Sequence, residues 1–121
     1  MKFTRETSAS LTIRSVSDGR ICIGENSYDH SIALTASTII GEWSKTAVHE
    51  LNESDFDELL DADPEVIIVG TGETNIFPPR ELVFAMARRG IGLEVMDTTA
   101  AARTFNVLVG EDRQVAAVLF L

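Results

Sequence analysis

A chain of 121 residues, 45% hydrophobic and 24% charged, is long enough to bury one core and too short for two domains. Its single cysteine, Cys22, excludes an internal disulfide and a cysteine-built zinc site, and its two histidines, His30 and His49, lack the spacing of any metal motif, so no cofactor is expected. A net charge of −9 argues against non-specific binding to nucleic acid or an anionic membrane, and the longest apolar run, Val115 to Leu121, is too short to cross a bilayer.

The opening Met1-Lys2-Phe3-Thr4-Arg5-Glu6 leads into no apolar signal stretch, and Glu6 opposes a transit peptide, so a cytoplasmic protein is expected. Leu11, Ile13 and Val16 then run into Asp18-Gly19, a strong hairpin signal. Ile21 and Ile23 alternate with polar or small neighbours, Gly24-Glu25-Asn26 breaks the run, and Ile32, Leu34, Ile39, Ile40 and Trp43 continue it. Short strands separated by turns predict a β meander. Cys22 reads as a small strand side chain, on the expectation that no cation acts on its thiol.

Between Glu50 and Glu65 stand eight acidic residues and no Lys or Arg, while the rest of the chain holds 11 acids against 10 bases. Ser54 is a candidate N-cap for a helix bearing Phe56, Leu59 and Leu60 and ending at Pro64. The acids read first as its solvated face, and second as a docking surface for a basic partner built from Glu53, Asp55, Asp57, Glu58 and Asp61.

Val66-Ile67-Ile68-Val69 is a β-branched run with no polar face, which predicts a strand covered on both sides and paired in parallel with a strand at 92–96. Pro78-Pro79 opens a second helix with the stripe Leu82, Val83, Met86 and Ala87; Arg88-Arg89 and Gly90 suit its end. A third helix starts near Asp97 or Thr98, buries Ala101, Phe105 and Leu108, and stops at Gly110. Val115 to Leu121 reads as a closing buried strand. The sum is one α/β domain over 1–121, on the border of α+β, with a central mixed, mainly parallel sheet behind an N-terminal meander.

Two strand-to-helix turns stand out. Gly70, Thr71 and Gly72 follow the first parallel strand, and Thr98 and Thr99 follow the second. Parallel neighbours would bring both turns to the carboxyl edge of the sheet, where open α/β sheets bind ligands. With Arg80 they form a candidate binding crevice for an anion or carboxylate. The plainer reading makes the glycines a structural turn and Asp97-Thr98 a helix cap. No GxGxxG, GxxxxGK[ST] or GxSxG motif is present, and no catalytic residue is assigned.

The stretches Ile68-Val69-Gly70-Thr71-Gly72, Gly90 to Thr98, Ala101-Ala102-Arg103-Thr104-Phe105-Asn106-Val107-Leu108 and Glu111-Asp112-Arg113, with Pro78 between them, resemble the domain-of-unknown-function 498 family. That family includes Mth-938-like proteins and the mitochondrial complex I assembly factor 3. The resemblance covers nearly the whole chain and implies a three-layer β+β/α fold. It implies no known enzyme activity and, through the assembly factor, action by contact with another protein. The expectation is therefore a non-enzymatic interaction module, with self-association left open and a small-molecule or anion binder at 70–72 as the alternative.

Overall fold

The computed structural model describes residues 11–43 and 46–121; the reading of Met1 to Glu6 lies outside the described residues. The first strands, β1 (Ile13–Ser17), β2 (Arg20–Ile23) and β3 (Asn26–Tyr28), form an antiparallel three-stranded sheet. Asp18 and Gly19 both take positive φ, 54° and 72°, the mirror-image turn whose twist suits a tight hairpin. Ile21 and Ile23 face inward, while Cys22 between them stays partly exposed.

A second sheet has the order β5-β4-β8-β6-β7, from β4 (Ile32–Thr35), β5 (Ile39–Glu42), β6 (Val66–Gly70), β7 (Gly92–Met96) and β8 (Val115–Leu119). β6 pairs in parallel with β7 and with β8, as the apolar run at 66–69 predicts. The meander supplies β4 and β5 as an antiparallel extension, so the sheet is evenly mixed. Every residue of β6 and β8 is buried.

Successive side chains of a strand point to opposite faces, and β6 serves two cores. Val66 and Ile68 join Ile13, Ile21, Ile23, Phe105 and Leu119 beneath the three-stranded sheet and helix α3 (Thr98–Gly110). Ile67 and Val69 join Trp43, Phe56, Leu59, Leu82 and Met86 beneath helix α2 (Arg80–Arg88) and the 48–60 segment. The layers are thus sheet plus α3, central sheet, and α2 with the 48–60 segment.

Three sequence expectations are corrected. The helix foreseen after Ser54 is a 3₁₀ turn (Glu53–Phe56) followed by one α-helical turn, α1 (Asp57–Leu60), and its cap is Asn52. Asn52 accepts from the Asp55 amide, and the Asp55 carboxylate accepts from the Asn52 amide, a reciprocal capping box. Like charges at Asp57 and Asp61, one turn apart, oppose a longer helix. In α2 the buried stripe is Leu82, Ala85 and Met86, so that Val83 and Ala87 face outward. In α3 the buried row runs through Ala101, Phe105 and Val109, which leaves Leu108 half-buried at its margin.

Candidate functional site

Because β6, β7 and β8 run parallel, their carboxyl ends share one edge. The chain laces these ends together. The Phe120 amide donates to the Gly70 carbonyl, Thr71 N–H to Met96, and Thr98 N–H to Gly72, all at 2.8–2.9 Å. The Thr98 hydroxyl sits at the junction. It accepts from the Gly72 amide at 2.8 Å and donates to the Phe120 carbonyl at 2.6 Å. One buried side chain therefore satisfies a turn donor and a strand-end acceptor, both from half-buried residues.

The two glycines do different things. A Cβ on Gly70 would lie 2.9 Å from the Thr98 Cα, so the missing side chain lets α3 start directly on the strand end. Gly72 has φ near +100°, a conformation other residues avoid. Thr71, also buried, donates to the Thr74 carbonyl at 2.6 Å and accepts from the Ile76 amide, closing the loop toward α2.

Beside this junction lies a groove of about 240 Å³. Gly72, Thr98 and Thr99 line it together with Glu73, Phe120, Leu121 and the β1–β2 turn, Val16 to Gly19. The structure therefore brings three of the six named residues to the groove. Gly70 and Thr71 lie in the junction behind it, and Arg80 at the start of α2 is not among the lining residues. At the start of α3, the Asp97 carboxylate takes the Ala100 amide, the Asp97 carbonyl takes that of Ala101, and the Gly72 carbonyl takes that of Thr98. The charged residues on the groove are Asp18 and Glu73, both acids. An anion would meet engaged amides and like charge there.

The acidic segment is partly answered from elsewhere in the chain. Arg89 donates to Glu53 at 2.6 Å and Arg113 pairs with Glu65, both pairs half-exposed. The Asp55 carboxylate takes the Thr46 hydroxyl at 2.8 Å as well as the Asn52 amide. Glu53 and Asp55 therefore have structural tasks, whereas Asp57 and Asp61 stay exposed.

Two features escaped the sequence reading. Asn106 on α3 pairs with both main-chain groups of Ile13: its carbonyl accepts from the amide at 2.9 Å and its amide donates to the carbonyl at 2.8 Å. It latches the helix to β1. Around Cys22, hydrogen bonds from Ser15, then Ser27, lower the thiol pKa, with smaller help from Arg14 and Arg20, so the expectation that no cation acts on it is corrected. Antiparallel pairing is the reason, since it sets Cys22 between Ser15 and Ser27. Among the described residues no group of three or more His, Cys, Asp or Glu is placed to hold a metal ion, and no helix is long and apolar enough to cross a membrane.

A mixed sheet carrying a meander sheet on one side and helices around it defines a Mth938-like domain. A solved Bordetella pertussis structure described in those terms aligns with a TM-score of 0.78 at 27% identity, covering 99% of this chain and 92% of that one. The chain belongs to the DUF498/DUF598 family of proteins of unknown function, whose profile matches residues 13–120. A Bordetella parapertussis crystal structure aligns with a TM-score of 0.86 at 32% identity over 95% of this chain and 98% of that one. A 13 kDa major membrane protein of Francisella tularensis is 30% identical over 102 residues, 84% of this chain and 83% of its own length. The human NADH dehydrogenase [ubiquinone] 1 alpha subcomplex assembly factor 3 is 31% identical over 117 residues, 95% of this chain. The chain spans 63% of that relative's length.

Proposed function

We propose that this chain is a non-enzymatic protein-interaction module that assists the assembly of a larger complex. The observation that carries the reading is the 31% identity over 117 residues to a protein named as an assembly factor. The site agrees with it. The buried hydroxyls of Thr71 and Thr98 are both spent on main-chain groups, so neither is poised as a nucleophile. The test is deletion in the native host, followed by native-gel comparison of multi-subunit complexes. Loss of one assembled complex, restored by the wild-type chain, is the expected result. Unchanged abundance of every complex sinks the proposal.

A second reading keeps the groove as a ligand site, and its rim chemistry selects the ligand. Asp18 and Glu73 favour a neutral or cationic small molecule over an anion. A thermal-shift screen with small amines, polyols and phosphate separates these classes. No shift from any of them at millimolar concentration leaves the groove a structural crease.

A further inference from the structure

Helix α2 buries Leu82, Ala85 and Met86 against the sheet, yet its outward side is not polar. Phe84 is 57% exposed and Val83 39%, and just before the helix Phe77 is 77% exposed and Ile76 41%. Scattered apolar residues on a surface need no explanation, but Val83 and Phe84 share one side of a helix. Val83 and Ala87 form one i,i+4 row; Arg80, Phe84 and Arg88 form the row beside it. The apolar face is therefore closed at both ends by an exposed guanidinium. On α2, Arg80 and Arg88 stand against one acid, Glu81, in a chain of net charge −9, while Arg89 beyond it is paired with Glu53.

We propose that this face of α2 docks a segment of a partner protein in which apolar side chains are bracketed by carboxylates about two helical turns apart. The inference rests on the interaction-module reading and gives it a surface. Charge complementarity selects the occupant. Arg80 and Arg88 lie about 12 Å apart along the helix, and guanidinium groups recognise carboxylates in paired hydrogen bonds. Phenylalanine between two arginines supplies the apolar anchor and charged rim of an interaction hot spot. A second copy fits poorly, because two α2 helices packed antiparallel about Phe84 would set Arg80 of one copy against Arg88 of the other. An anionic bilayer fits poorly too, since Glu81 and the strong negative charge of the whole chain oppose it.

The test uses the full chain in its native host, with the photoreactive amino acid benzoylphenylalanine in place of Phe84. A parallel chain carries it in place of Val107, which is 59% exposed on α3, across the sheet. The expected result is one dominant adduct from position 84, mapped to a partner peptide whose apolar residues are flanked by Asp or Glu. Arg80→Glu with Arg88→Glu in the same chain should lower its yield about tenfold or more, with the thermal melt within a few degrees of the parent. Adducts to lipid or to another copy overturn the proposal, as does a partner peptide without acids or a yield indifferent to the charge reversal. A partner captured from position 107 and not from 84 overturns this surface and leaves the interaction-module reading standing. Capture from neither position overturns both.

Discussion

At the scale of single residues, Thr98 is the most tightly placed polar group at the candidate site. Its hydroxyl answers the Gly72 amide and the Phe120 carbonyl where three strand ends meet. Thr98→Val keeps the shape and removes both hydrogen bonds, so unfolding should become easier by about 1–2 kcal/mol in a denaturant titration. Thr98→Ser should recover most of that loss, because it keeps both hydrogen bonds. A second residue-scale expectation concerns Cys22. Hydrogen bonds from Ser15 and Ser27 favour the thiolate and lower its pKa. Alkylation followed against pH should therefore reach half its plateau rate below the pH required by a free cysteine, and Ser15→Ala with Ser27→Ala should move that midpoint upward. The sign for stability follows. A thiolate favoured in the folded state adds stability at alkaline pH that fades as pH falls through the lowered value.

At the scale of elements, the 50–65 segment divides into acids that hold the structure and acids that face outward. Asp55 closes the capping box with Asn52 and takes the Thr46 hydroxyl. Asp55→Ala should cost about 1 kcal/mol, read as a lower unfolding midpoint. Asp61→Lys, which turns the Asp57–Asp61 repulsion at the end of α1 into an i,i+4 ion pair, should leave stability level or slightly raised at low salt. Any effect of that substitution on partner capture then reports docking rather than folding. Helix α2 shows why pattern alone misplaces residues. Val83 and Ala87 are apolar at helical spacing, which is equally the signature of a core stripe and of a face turned toward a partner. What decides is the position of the sheet, which selects Leu82, Ala85 and Met86.

At the scale of the whole molecule, the parallel unit was legible because its signals are local. The 66–69 run has no polar side to expose, and Asp18-Gly19 and Asp97-Thr98 carry their turn and cap chemistry in adjacent residues. Hidden from a linear reading were the contacts made across the chain. Glu53 finds Arg89 36 residues away, Glu65 finds Arg113 48 away, and Asn106 reaches Ile13 across 93. The candidate site was legible to the same extent. Pairing of β6 with β7 follows from sequence pattern, and it carries Gly72, Thr98 and Thr99 to one edge. The contribution of the β1–β2 turn to the same groove follows only from how the two sheets stack.

The strand order has a consequence for the nascent chain. β8 is synthesised after the other four strands of its sheet, yet it lies at the centre of that sheet, between β4 and β6. Until residues 115–119 clear the ribosome, β4–β5 and β6–β7 are two ribbons with no strand to join them, each exposing apolar side chains to solvent or to a chaperone. Folding during translation must therefore wait for the final ribbon to thread between two partly formed ones. That is a slow, non-local closure, and stalled chains arrested before Val115 should stay protease-sensitive where those arrested some forty residues beyond Leu119 on a linker do not.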